Sequence, residues 1–166
     1  MRMLRCCLFG LMLLSGGSLA STLPPLQLVG EARLSVLFWN VYDSRLYTED
    51  GRYSENQRPL RLEITYLMDI KSDALVEQTA KEWEHLKVEH PGQAAWLEQL
   101  NVLWPDVSKG DTITLELDAD NRSLFYLNEK LLGDMDDPEF GEHFVAIWLS
   151  PDTSRPRVRE ALLGSL

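Results

Sequence analysis

A chain of 166 residues with 26 acidic and 16 basic side chains carries a formal net charge of −10. Such a surface repels phosphate backbones, so nucleic acid is not an expected partner, and the length suits one domain. Both cysteines fall at positions 6 and 7, which leaves the rest of the chain without a disulfide framework or a thiol nucleophile.

Residues 1–20 read as a secretory signal peptide. Arg2 and Arg5 give a positive start, Leu8 to Leu14 is apolar, and Ser18-Leu19-Ala20 is a small-x-small cleavage site. The apolar run falls short of the roughly 20 residues that span a bilayer, and no later stretch is long enough. Cleavage after Ala20 leaves one domain, residues 21–166, and removes Arg2 and Arg5, which takes the net charge from −10 to −12. The expected location is periplasmic or secreted.

Ser21 to Leu28 reads as an extended lead-in behind Pro24-Pro25. Ala32 to Tyr47 reads as one long strand, and its nearly all-apolar centre, Leu34 to Tyr42, predicts cover on both faces. Glu49-Asp50-Gly51 turns the chain into a polar loop, Arg52 to Pro59. Leu60 to Met68 alternates as a half-buried strand, with Leu62, Ile64 and Tyr66 on one side. Ser72 or Asp73 reads as the N-cap of a helix with Val76, Ala80 and Trp83 on its buried face, ended by Pro91-Gly92. Gln93 to Leu103 predicts a second helix, packing through Trp96 and Leu100 and closed by Pro105.

Thr112 to Leu117 and Ser123 to Leu127 read as strands joined by a turn at Asp118 to Asn121. Asn128-Glu129-Lys130 turns the chain into Leu131-Leu132-Gly133. Pro138 opens a helix to about Leu149, capped by Asp137 and buried through Phe140, Phe144, Ile147 and Trp148. Ser154 and Pro156 open a last short helix ending at Gly164. Strand pairs separated by helix pairs predict an α+β fold, an antiparallel sheet with helices on one side.

The catalytic motifs are few. His85, His90 and His143 lack zinc-ligand spacing, and Asp134, Asp136, Asp137 and Glu139 lack the glycine and terminal glutamate of a calcium loop. There is no nucleophile elbow, phosphate loop or dinucleotide motif. No metal and no cofactor are expected.

Three blocks carry a resemblance. They are Val29 to Leu34 with Phe38-Trp39-Asn40-Val41-Tyr42-Asp43-Ser44-Arg45-Leu46-Tyr47; Phe125 to Gly133; and Phe140-Gly141, Phe144, Ile147-Trp148-Leu149 with Leu162-Leu163-Gly164. In order and spacing they resemble the bacterial chalcone isomerase-like proteins. The resemblance implies a large antiparallel sheet against a layer of helices, with an apolar cleft between them, and a signal peptide as a rule. In the plant enzyme of this fold an arginine early in the first long strand stabilises the substrate phenolate. A threonine and a tyrosine there organise water and the ketone. Tyr42 falls near the threonine's position, and Arg33 meets the arginine's only across a gap. Arg33 and Tyr42 also have opposite strand parity, so no catalytic residue is assigned.

The resemblance without the catalytic set implies a non-catalytic binding protein. Its ligand would be a small amphipathic molecule, a fatty acid or a phenolic compound, held in the cleft. Arg33 or Arg45 would meet the anionic end, and Tyr42 and Tyr66 would supply hydrogen bonds and walls. Two other classes stay open: an isomerase acting on an enone, and an envelope scaffold whose protein partner the sequence does not name. Arg45 has a second reading too. Helices must cover the strand before it, which predicts a buried guanidinium hydrogen-bonded to backbone carbonyls.

Overall fold

The computed structural model describes residues 25–165, so the signal-peptide reading of residues 1–20 lies outside the described part. Ten elements follow in chain order: β1 (Gln27–Val36), β2 (Trp39–Thr48), β3 (Leu60–Tyr66), α1 (Ser72–His85), α2 (Gln93–Leu103), β4 (Thr112–Leu117), β5 (Ser123–Leu127), β6 (Lys130–Met135), α3 (Phe140–Leu149) and α4 (Pro156–Leu162). The six strands form one sheet in the order β1-β2-β3-β4-β5-β6, each pair antiparallel. This is the expected α+β architecture, a sheet with a helical layer.

Alternation explains the layering. In β2, β3 and β4 the side chains of Ser44, Leu46, Leu62, Ile64, Ile113 and Leu115 are buried on the inner face. Their neighbours Asp43, Arg45, Arg61, Glu63 and Thr114 point to the outer face. The helices bring Trp83, Trp96, Leu100, Phe140, Phe144 and Leu162 down onto the inner face. Trp83, Trp96, Phe125 and Phe140 meet edge to face at centroid distances of 5.6 to 6.2 Å, the arrangement that aromatic quadrupoles favour.

The structure departs from the sequence expectations in several places. The stretch Ala32 to Tyr47 is two strands, not one, because the chain reverses at Leu37-Phe38. Its apolar centre is therefore a hairpin tip rather than a strand covered on both faces. Leu131 to Gly133 belongs to a sixth strand, β6, paired with β5. Neither Ser72 nor Asp73 is the N-cap of α1. Lys71 holds that position, and Asp106 from the α2–β4 loop accepts the Ser72 N–H at 2.9 Å and the Lys71 ammonium at 2.6 Å. Finally, α3 begins at Phe140 rather than Pro138. Asp137 closes a turn before it by accepting the Glu139 N–H at 2.9 Å.

Arg45 is also not where burial under the helices would put it. It lies exposed on the outer face, with Nε 3.2 Å from Glu31 Oε2. Arg33 lies on that face as well, paired with Asp43 at 2.6 Å. Arg61 and Glu116 form the more covered pair of the row, 2.7 Å apart, with the glutamate side chain only 8% exposed.

At the other end of the fold α4 presses on β1. A Cβ at Gly30 would overlap the Ala161 carbonyl oxygen and come 2.7 Å from that of Leu162. These are backbone atoms and cannot swing aside. We expect Gly30→Ala to destabilise the protein by about 2 kcal/mol or more, seen as a lower urea midpoint. Arg45→Ala should change stability by less than about 1 kcal/mol, since its ion pair is solvated and screened. Arg61→Ala should cost about 2 kcal/mol, because it leaves a covered carboxylate unpaired. Equal losses for the two arginine variants would contradict the difference in burial.

Candidate functional site

The β1–β2 pairing contains an irregularity that shapes the inner face. Leu34 pairs with Tyr42, but Ser35 pairs with Asn40, so Val41 is an extra residue in β2. A bulge of this kind re-aims side chains. Here Val41 and its neighbour Tyr42 both reach the space under the helices, together with Leu34 and Val36.

That space is a cavity of about 420 Å³ between the inner face of the sheet and helices α1 and α3. Its volume is in the range of small-molecule pockets. Leu62, Ile64, Ile113, Leu115 and Phe125 form its floor. The helical side contributes Leu75, Phe144, Ile147 and Trp148. Polar groups are few: Tyr42, Tyr66, Gln78, Thr79, Glu82 and Arg155.

Burial governs the two tyrosines. The Tyr42 hydroxyl is pushed up from 10.0 to about 12, chiefly by desolvation and partly offset by the hydrogen bond from Trp148. Tyr66 opposes it across the β2–β3 pairing, is fully enclosed, and is raised further by the same cause. Trp148 Nε1 donates to the Tyr42 oxygen at 2.9 Å. No acceptor among the described residues takes the Tyr42 proton, so this hydroxyl is a donor available to an occupant.

Arg155, the residue before the proline that opens α4, is the one cation in the wall. It has no ion-pair partner among the described residues. Glu82 in the same wall is engaged by the Ser154 hydroxyl at 2.6 Å. Trp104 closes one side. Trp83, Trp96 and Trp148 each donate their indole N–H at 2.9 Å. The buried Trp104 N–H has no acceptor among the described residues.

Of the four residues singled out from the sequence, the structure brings Tyr42 and Tyr66 together in the cavity wall, with ring centroids 6.4 Å apart. Arg33 and Arg45 lie on the opposite face of the sheet, each paired with a carboxylate. Sequence reading missed Gln78, Glu82 and Arg155. Gln78 and Glu82 carried a signal, since with Leu75 and Thr79 they follow helical spacing on one face. Arg155 carried none, because a loop places it.

A second group of ligating side chains sits elsewhere. His90, Asp137 and Glu139 offer donor atoms within 4.8 Å of one another. The Gly92 N–H donates to His90 Nδ1 at 3.0 Å, so the neutral ring carries its proton on Nε2, 2.8 Å from Glu139 Oε2. Asp137 already accepts from Trp96 Nε1 and from the Glu139 N–H. The group works as a hydrogen-bonded clamp between the α1–α2 turn and the start of α3, with the His90 ring stacked on Trp96 at 4.4 Å.

The tyrosine burial has a pH signature. The unfolded chain ionises its tyrosines near pH 10, at about the ordinary value. The folded state holds Tyr42 and Tyr66 neutral beyond that. Stability from their neutral burial is full below about pH 10 and is lost as pH rises toward about 12. We expect the urea midpoint to fall across that window, and to fall less steeply in the double variant Tyr42→Phe, Tyr66→Phe. An equal slope in the two proteins would show that these hydroxyls do not control it.

Among the described residues no helix is long and apolar enough to cross a membrane. An uncharacterized protein of Haemophilus influenzae is 31% identical over 138 residues, which are 83% of this chain and 68% of that protein. The crystal structure of a fatty-acid binding protein from Arabidopsis thaliana is similar at a TM-score of 0.66, covering 87% of this chain and 89% of that one. At 12% identity this likeness is one of fold. A model of the family described as chalcone isomerase-like matches residues 18–164, nearly the whole chain. This chain therefore belongs to the chalcone isomerase-like family.

Proposed function

We propose that this protein binds a fatty acid in the cavity between sheet and helices, without catalysing a reaction on it, and that it does so in the periplasm or outside the cell. The observation that carries the reading is the cavity itself. Its wall is nearly all aliphatic and aromatic, with an unpaired arginine and a hydroxyl donor at the polar part. An acyl chain suits such a wall, because it has no hydrogen bonds to lose on leaving water. Its carboxylate would meet Arg155 and the Tyr42 hydroxyl. The similar fold of a plant fatty-acid binding protein agrees with this reading, and residues 1–20 are what suggests export.

An isomerase of the plant type would place an arginine from early in the first long strand on the substrate phenolate. Arg33 faces away from the cavity, and burial keeps the Tyr42 hydroxyl protonated.

Titration with a fluorescent fatty acid, with unlabelled acid as competitor, tests the reading. We expect saturable one-to-one binding. Arg155→Gln should weaken the acid by about tenfold, the worth of roughly 1.4 kcal/mol, and leave the matching fatty alcohol nearly unchanged. Absence of saturable binding by fatty acids, or displacement only by phenolic compounds, would overturn the fatty-acid reading.

A further inference from the structure

The turn between β1 and β2 is unfavourable on two counts. Leu37 adopts a φ of 56°, a conformation that hairpin turns ordinarily give to Gly, Asn or Asp. The same turn exposes a run of apolar side chains: Val36 at 39%, Leu37 at 89%, Phe38 at 97% and Trp39 at 70%. No charged residue occurs from Leu34 to Tyr42, and the Arg33–Asp43 pair marks the first charges on either side. Met68 adds another exposed apolar side chain at this end of the sheet. It follows Leu67, whose N–H bonds the Val41 carbonyl at 2.9 Å. Single exposed apolar residues are ordinary on a soluble protein, but four in succession on a projecting hairpin mark an interaction site.

We propose that this hairpin tip is a docking element for a lipid bilayer surface, which sets the end of the cavity against the acyl region. The proposal rests on the ligand-binding reading for the purpose of docking, not for the docking itself. Three observations select a bilayer over a protein. A two-residue turn is narrow and convex. Its four side chains offer on the order of 500 Å², short of the roughly 800 Å² that each partner gives to a stable protein interface. Leucine and phenylalanine at the apex, with a tryptophan beside the polar Asn40, match the depth order of a membrane interface, where indole rings sit at headgroup level. The tip is also continuous with the cavity. Leu34, Val36 and Val41 line it, and Val36 belongs to wall and tip together. An acyl chain entering there would pass from bilayer to cavity along apolar side chains.

Charge sets the kind of bilayer. A protein of net charge −10 is repelled by anionic headgroups. Docking is therefore apolar in origin and strongest on zwitterionic lipid, the reverse of a basic peripheral protein.

The test is flotation of the chain from Ser21 onward, which contains every described residue, with phosphatidylcholine vesicles. We expect co-flotation that persists at high salt and weakens when anionic lipid is added, the weakening being relieved by salt. The double variant Leu37→Asn, Phe38→Ser should lose about tenfold or more in vesicle affinity. It should keep the wild-type urea midpoint and bind the fluorescent fatty acid in solution as wild type does. Transfer of that acid from vesicles to protein should slow by the same factor. No flotation of the wild type, or equal flotation of the variant, overturns the proposal. Self-association that the double variant abolishes, without flotation, overturns it in favour of a second copy of this chain. Vesicle binding through the tip with no fatty-acid binding in solution supports the docking element and removes the ligand reading.

Discussion

Alternation along β2, β3 and β4 divides this protein into a dry side and a charged side, and every other feature depends on that division. Leu46, Leu62, Ile64, Ile113 and Leu115 must leave water, and an antiparallel sheet with one apolar face is stable only when something covers it. The helices supply the cover but do not fill it evenly. Toward the end of α1, Trp83 drives into the rings of Trp96 and Phe140. Thr79, about one turn earlier, and Ala74, about two and a half turns earlier, are small. Both line the cavity, together with Leu75, Gln78 and Glu82 of the same helix. A protein interior is otherwise packed to crystal density, and a void of this size forfeits the dispersion contacts its lining would make.

The chemistry of the cavity follows from how far its two tyrosines are shielded from solvent. Desolvation keeps both tyrosine hydroxyls neutral, so they act as hydrogen-bond donors rather than bases. Arg155 approaches from the loop before α4, at the edge, where its charge keeps some solvent. A wall that is apolar along its length and polar in one place discriminates by amphipathic character more than by detailed shape. The outer face offers a contrast. Arg33, Arg45 and Arg61 are each neutralised by a carboxylate on the neighbouring strand. Cross-strand pairing therefore uses up the cations that a strand-based reading would have offered to a ligand.

Two departures from regular geometry fall near the tip of the β1–β2 hairpin. Val41 is the bulged residue, and Leu37 takes a backbone conformation unfavourable to a branched side chain. Neither is needed to close a hairpin, since a two-residue turn with Asn-Gly would do so without strain. Places where a local rule is broken beside a cavity are where function is expected to outweigh stability. The bulge turns Val41 inward, and the turn sends Leu37 and Phe38 outward. One hairpin thus contributes both to the cavity wall and to the exposed tip.

Much of the architecture was legible in residue order alone. Period-two alternation marked Leu60 to Met68, of which Leu60–Tyr66 is strand, and Thr112 to Leu117. Helical spacing and flanking prolines marked α2, α3 and α4, and the strand and helix pairs implied the layered fold. Tyr42 and Tyr66 were named through the family resemblance, and parity along a strand tied each to a face without saying which face is covered. The turn at Leu37-Phe38 was hidden because it has none of the glycine, asparagine or proline that marks a reversal, so its apolar run read as buried strand. Asp106 capping α1, Arg155 at the cavity and the exposure of Arg45 were equally out of reach. Each depends on residues distant in the chain, or on which face the helices cover. The sequence by itself determined which side chains share a face. Only the tertiary structure decided which face is covered and where the cover leaves a space, because those outcomes depend on how helices from separate parts of the chain pack together.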